Sequence, residues 1–446
     1  MRRVALPTRI VILLVCVSVM VAHAPAAAAP PDGSLVVEAL QVLEREYYAP
    51  VDSTKLLNTA VDTLRKVTGA AADALPGIPP GLLETDQFAR FLAQFAAAVR
   101  TGAVSEADLA TRTTREMLAS LNDTHLRYLN IAQYDEFRNQ RAGNPAYTGI
   151  GVRIVVRQDE DASNWPYAFE VYPGSPADAG GLQRFDKITQ VDGKSVKDAA
   201  PGRVSEMLRG PTGSTVTIVV RRGNRTVTVS AVRAPIRAPL VRQELVRPGI
   251  AYVKLLSFQL GAGSELRDAL RSLAAQEQIR AVILDLRGNP GGLLREAELT
   301  AGTFLPPGTL LVRTMSRSEL PGTYVSRGEP AMPEVPLAVL VDDHTASSSE
   351  VVTIGLRSAR RATIIGERTA GALGASRAFP LSVGAMVVTQ AKVVGPNNEI
   401  IEHEGIAPDL VVKLTGTDME QGRDTQLEAA LKALGAAVAK WLRRAA

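Results

Sequence analysis

The sequence predicts a multidomain α+β chain with a removable leader, a helical N-terminal region, a small β-rich domain and an α/β core. Three observations predict it. Apolar residues recur at helical spacing up to about residue 140. Short alternating runs separated by Gly-rich turns fill the next stretch. Beyond residue 250, fully apolar strands alternate with amphipathic helices, the pattern of a parallel or mixed sheet covered by helices. At 446 residues the chain is long enough for roughly two to four domains with sizeable cores.

The leader comes first. Arg2, Arg3 and Arg9 precede or open an apolar run over 10–21, and Ala22, Ala24 and Ala26 to Ala29 supply small residues for cleavage. That layout reads as a secretory signal peptide over 1–29. The run is shorter than the roughly 20 residues a spanning helix needs. Cys16, the only cysteine, lies inside it behind the large Val15, a poor context for lipid attachment. Cleavage therefore leaves no thiol for a disulfide or a nucleophile. It also removes Arg2, Arg3 and Arg9, which lowers the formal charge from +4 to +1. No Lys/Arg cluster remains, so nucleic acid is not an expected partner. The expected location is outside the cytoplasm, in a bacterial periplasm.

In the helical region, Leu35, Val36, Leu40 and Leu43 open the first helix, and the ranges 54–67, 85–99 and 105–121 repeat the pattern. Residues 69–80, rich in Ala, Gly and Pro, read as a linker or loop. The β-rich part predicts strands at 153–156, 168–171 and 187–191, and a hairpin of 215–220 with 225–232 around Arg222-Gly223-Asn224. Short helices fit 176–180 and 201–209. In the core, strands are expected at 250–255, 281–285, 335–341, 363–365, 387–394 and 410–414, with helices at 264–278, 292–304, 349–357 and 425–442. The polar, Gly/Pro-rich stretch between Leu305 and Pro336 is either a groove wall or plain surface.

Two loops follow buried strands of this core, where ligands and reacting groups usually sit. One is Asp285-Leu286-Arg287-Gly288-Asn289-Pro290-Gly291-Gly292; the other runs from Asp342-Asp343-His344 through Thr345-Ala346-Ser347-Ser348-Ser349-Glu350. The glycine loop precedes a helix and exposes N–H groups that suit a phosphate or an oxyanion. It lacks the Gly-Lys-Ser/Thr ending of a nucleotide loop. Ser347-x-x-Glu350 fits a helix capping box. A helix start is also a favourable place for a nucleophile, because the dipole supports developing negative charge. Serine needs a base as well. Outside the leader the histidines are His125, His344 and His403, with no metal-ligand spacing among them. Asp342-Asp343-His344 reads as a strand-end turn, and no metal or cofactor is expected.

These segments resemble the carboxyl-terminal processing proteases, a family that also includes tricorn-type proteases. The resemblance spans roughly Leu35 to Leu431. Gly149-Ile150-Gly151-Val152, Tyr172-Pro173-Gly174-Ser175-Pro176-Ala177 and Val191-Asp192-Gly193 look like the family's PDZ domain. The glycine loop looks like its oxyanion loop, and Thr345-Ala346-Ser347 like its nucleophile segment. Gly366-Glu367-Arg368-Thr369-Ala370-Gly371 and Glu404-Gly405-Ile406-Ala407-Pro408-Asp409 match later landmarks. The resemblance implies a ClpP/crotonase-like protease core over 237–420. It also implies a PDZ-like domain over 141–236, a helical region over 30–140 and a closing helix over 421–446.

One departure matters. The family's general-base lysine is here Ala372, and its supporting glutamine is Ser376. Lys392 lies in a later strand, and His344 is a rival base only by proximity in sequence. The tricorn-type branch resembles a Ser–His–Glu site instead. Thr124-His125 matches its histidine, and Glu402 its glutamate, with Glu404 the neighbouring option. The implied catalytic set is Ser347, His125 and Glu402, with oxyanion donors from Gly291, Gly292 and Ser348. Gly149, Ile150 and Gly151 would bind a peptide by strand addition. The expected function is an exported serine endopeptidase that cleaves polypeptides, near their C-termini, through an acyl-enzyme on Ser347. The alternatives are an inactive PDZ-containing pseudoprotease that binds peptides or acts as a periplasmic scaffold, and a hydrolase of the same fold with another substrate. An activator or adaptor protein would find a docking surface on the helical region. No coiled-coil repeat dictates an oligomer.

Overall fold

The computed structural model describes residues 32–123, 125–141, 146–159, 161–316 and 322–445; the expected leader 1–29 with Cys16, and Thr124, lie outside them. Four helices, Ser34–Glu46, Ser53–Thr68, Glu84–Val99 and Glu106–Ala119, bury Leu40, Leu57, Phe91 and Leu118 in a common core. Their ends carry the expected local chemistry. Asp52 accepts the Lys55 N–H at 3.0 Å, and Ser105 accepts the Asp108 N–H at 3.2 Å. The stretch read as a linker is anchored: Leu75 and Ile78 are buried, and Asn58 brackets the Ile78 backbone with bonds of 2.7 and 3.0 Å.

The β-rich part forms one antiparallel sheet in the order Val152–Gln158, Asn164–Val171, Lys187–Val191, Thr215–Arg222, Arg225–Val232. Helices Pro176–Ala179 and Pro201–Leu208 close over it through Ala177, Val204 and Leu208. Strand Val152–Gln158 pairs on one side only and is an edge.

The core sheet runs Val241–Arg247, Ile250–Leu255, Ala281–Asp285, Leu337–Val341, Thr363–Gly366, Leu410–Val411. The first pair is antiparallel and the rest are parallel. Ala281–Asp285 and Leu337–Val341 are buried on both faces, which accounts for their unbroken apolar sequence. Helices Ala262–Gln276, Leu294–Gly302 and Ser348–Ser358 cover one face through Leu266, Ala301 and Val352. Helix Thr425–Ala445 covers the other through Ala430 and Leu434.

A second, antiparallel sheet joins Arg127–Leu129, Leu310–Met315, Thr323–Val325, Gly374–Pro380 and Ala385–Val394. This sheet corrects the expected ClpP/crotonase-like core. The expectation follows the resemblance; of these five strands the sequence reading predicts only the one over 387–394, while Leu310–Met315 and Thr323–Val325 fall in the stretch between Leu305 and Pro336 that it leaves as groove wall or surface. One of them, Arg127–Leu129, comes from the helical region, and Tyr128, Met386 and Val388 share that region's apolar core.

Candidate active site

Ser347 begins helix Ser348–Ser358 with φ 56° and ψ −121°, a strained conformation for a residue with a side chain. Its N–H meets two acceptors at 3.0 Å, the Ala372 carbonyl and Glu350 Oε2. Glu350 is wholly buried and takes four donors: Ser347 N–H, Ala372 N–H at 3.1 Å, Gly371 N–H at 2.8 Å and the Thr369 hydroxyl at 2.6 Å. Burial raises its pKa above the ordinary glutamate value, against the pull of these bonds. The sequence offered Glu350 only as a capping partner; in the structure it fastens the 369–372 segment to the Ser347 turn.

The glycine loop lies directly on that turn. A Cβ on Gly291 (φ 89°) would stand 2.6 Å from Ser347 Cβ and 2.8 Å from Ser348 N. One on Gly292 would stand 2.4 Å from the Phe258 carbonyl oxygen. Asn289 joins the two loops. Its carbonyl accepts the Ala346 N–H and the Ser349 hydroxyl, both at 3.0 Å, and its side-chain oxygen accepts the Gly291 N–H at 2.9 Å. The Gly291 N–H is thus engaged internally. Among the described residues no group accepts the N–H of Gly292 or of Ser348. The Ser348 hydroxyl donates to the Gly292 carbonyl at 3.0 Å, which holds the two residues together.

His125 and Ser347 line one cleft of about 930 Å³, together with Gly291, Gly292 and Ala372. Glu402 stands behind the imidazole, with Oε2 3.5 Å from His125 Nε2, and it also accepts the Leu373 N–H at 2.6 Å. The His125 N–H donates to Asp123 at 2.9 Å. Ala372 and Ser376 both line the cleft, so no amine stands where the lysine would. Lys392 is turned to the Tyr48 ring, 5.2 Å from its centroid. His344 pairs with Asp343 at 2.7 Å, a contact that raises its pKa, and it is absent from the cleft lining. The stretch between Leu305 and Pro336 does reach the cleft, through Thr314, Ser316 and Tyr324.

Gly149, Ile150 and Gly151 lie apart from this cleft, at the head of the edge strand. Gly149 pairs with Ala234. The Ile150 carbonyl accepts the Ala177 N–H at 2.8 Å, and the Gly151 carbonyl accepts the Tyr172 N–H at 3.0 Å. Gly151 (φ 79°) has no room for a Cβ, which would sit 2.4 Å from Ser175 Cβ. The same edge strand touches loops of the core. Arg153 donates to the Gly288 carbonyl and, at 3.0 Å, to that of Leu256. Arg157 reaches Asp343 at 3.2 Å. Sequence reasoning missed both arginines, because nothing local marks an arginine as facing another domain.

A peptide-binding module docked on an α/β core, with a serine on a strained helix start beside a glycine loop, defines a PDZ-containing serine peptidase. Comparison with known proteins bears this out. The model of peptidase family S41 matches residues 249–412, and a PDZ domain model matches 170–222. A carboxyl-terminal-processing protease of Picosynechococcus sp. is 33% identical over 336 residues, 73% of this chain and 79% of that protein. Its counterpart in Synechocystis sp. is 33% identical over 334 residues, 73% and 76%. The solved photosystem II D1 C-terminal processing protease superposes with a TM-score of 0.55 at 26% identity, covering 90% of this chain and 97% of that one. A Bacteroides fragilis structure assigned to S41 gives a TM-score of 0.58 at 18% identity, covering 89% and 97%, a likeness of fold alone. The chain belongs to peptidase family S41, among the carboxyl-terminal-processing proteases, and is an exported serine-type endopeptidase that acts on polypeptides. These structures complete the fold correction: the architecture is that of S41 peptidases, in place of a ClpP/crotonase-like core.

Proposed function

We propose that this endopeptidase works with a Ser347–His125–Glu402 site in place of a serine–lysine dyad. The observation that carries the reading is the pairing of His125 with Glu402 in the cleft of Ser347, where the lysine position is Ala372. Glu402 orients the imidazole and supports its charged form, and the ring's other nitrogen takes the Ser347 proton. The serine oxygen attacks the scissile carbonyl. The N–H groups of Gly292 and Ser348 receive the oxyanion, while Gly291 keeps the loop pressed on the turn. The imidazolium protonates the leaving amine, and water then releases the acyl group.

The substrate is an unfolded polypeptide of the periplasm, cut near its C-terminus. That choice is supported by the processing proteases it resembles, including one named for the D1 C-terminus. The segment Gly149–Ile150–Gly151 and the free edge of Val152–Gln158 take up an extended terminus by strand addition. An activator or adaptor would dock on the N-terminal helices.

The test is cleavage of a labelled unfolded polypeptide. The parent cuts it, and Ser347→Ala and His125→Ala each lose about 10³-fold or more in kcat. Parental activity in Ser347→Ala would remove the nucleophile assignment, and parental activity in His125→Ala the base assignment.

A further inference from the structure

Three consecutive residues touch the three members of the proposed site. The Ala372 carbonyl accepts the Ser347 N–H at 3.0 Å. The Leu373 N–H donates to Glu402 Oε2 at 2.6 Å. Gly374 lies against His125: a Cβ there would stand 2.6 Å from His125 Cδ2 and 3.1 Å from Nε2, with Thr389 Cγ2 at 3.2 Å. Real side chains essentially never approach that closely, so alanine at 374 and the imidazole in its present place exclude each other. The φ of Gly374 does not ask for glycine, since it is not among the residues with positive φ; it pairs with Lys392 at the start of a strand whose register shifts only further on, between Ala375 and Ser376.

We propose that Gly374 is a positioning residue whose missing side chain forms the seat of the His125 ring, within a tripeptide, Ala372–Leu373–Gly374, that sets the whole site. The proposal rests on the reading of His125 as the base. It gives the departure at Ala372 a second half. The side chain at Ala372 carries no base, and two positions later the same segment leaves the space that admits the imidazole from the N-terminal region. Displacing the ring by about 1 Å is enough to cost about 10²-fold in rate.

The experiment is a double-mutant cycle on single-turnover cleavage of a labelled unfolded polypeptide, with a thermal melt of each variant. Gly374→Ala is expected to lower kcat about 10²-fold with KM within about twofold of the parent. Because the effect runs through His125, the pair must be non-additive. His125→Ala vacates the space, so His125→Ala/Gly374→Ala is expected to melt with His125→Ala and to cleave no more slowly. Three results overturn the proposal. The first is Gly374→Ala within about threefold of the parent while His125→Ala is inactive; that leaves the base reading standing. The second is a double variant that loses a further 10²-fold or does not fold, which would make Gly374 a structural residue. The third is parental activity in His125→Ala, which removes the base reading itself.

Discussion

Ser347 is held by its own backbone more than by its side chain. Its N–H is shared between Ala372 and Glu350, and its φ of 56° carries a strain that these bonds offset. Ala372 therefore keeps the backbone task of its position although its side chain has no proton to exchange. Lysine at this position would project an ammonium into the cleft that Ala372 lines, beside His125 and within reach of Glu402. Like charges oppose formation of the imidazolium, and Ser376 offers no side-chain amide to steady the newcomer. Ala372→Lys is expected to lower kcat/KM by about 10-fold or more at neutral pH; a steady-state assay that found a gain would mark a site that has lost a lysine without replacing it. At this scale the Ser347 loop and the glycine loop were legible as loops after buried strands, because each is continuous in sequence. His125 and Glu402 were legible only through resemblance. Gly374 carried no signal at all, since its neighbour is 249 positions away in sequence.

Helix Ser348–Ser358 is the element that unites these residues. It is buried through its first nine residues, and Glu350 in its first turn makes the bonds that fix its start. Glu350→Gln replaces one acceptor oxygen by an amide nitrogen facing N–H donors. A loss of about 1–3 kcal/mol in stability is expected, with reduced kcat. The pH dependence has a definite sign. Burial raises the folded pKa of Glu350, so its contribution is full below the ordinary glutamate value and is lost as pH rises through the raised one. The stability gap between parent and Glu350→Gln should be widest at acid pH and narrow on the way up; denaturant midpoints across pH read it directly. A second element-scale expectation concerns the edge strand Val152–Gln158. Arg153→Ala frees the Gly288 carbonyl and loosens the glycine loop proposed to hold the oxyanion, so kcat should fall about 10-fold while the fold is kept. The two central parallel strands, Ala281–Asp285 and Leu337–Val341, were readable as apolar runs. Gly374–Pro380 and Arg127–Leu129 were not, because short edge segments bearing glycine and arginine have no periodicity to detect.

Across the whole molecule, one buried network of charges ties the PDZ sheet, the core and the C-terminal helix. Glu170 from the PDZ sheet pairs with Lys254 at 3.2 Å and with Arg242. Arg287, in the glycine-loop segment and fully buried, binds Asp285 at 2.7 Å and Asp424 at 2.8 Å; Arg184 of the PDZ part also binds Asp424, at 2.8 Å. Burial alone would raise both carboxyls, yet Arg287, with Lys254 at Asp285 and Arg184 at Asp424, holds them well below the usual carboxylate range. Removing the shared cation leaves two buried carboxylates facing each other, and Arg287→Ala should lose about 3–5 kcal/mol of stability. Depressed folded values mean that this stabilisation is present above the ordinary aspartate range, about pH 4, and is lost as pH falls through the depressed values. Asp424→Asn isolates one share of it. The amide oxygen still accepts the Leu427 N–H that Asp424 accepts at 3.0 Å, so the helix start is preserved, while the charge and the oxygen that accepts from Arg287 and Arg184 are lost. The variant should melt lower than the parent at neutral pH and converge with it as the pH drops below about 4, because acid removes from the parent what the substitution has already removed. Melting curves that stay parallel down to about pH 2 would place the acid sensitivity of this protein outside the Arg287 network.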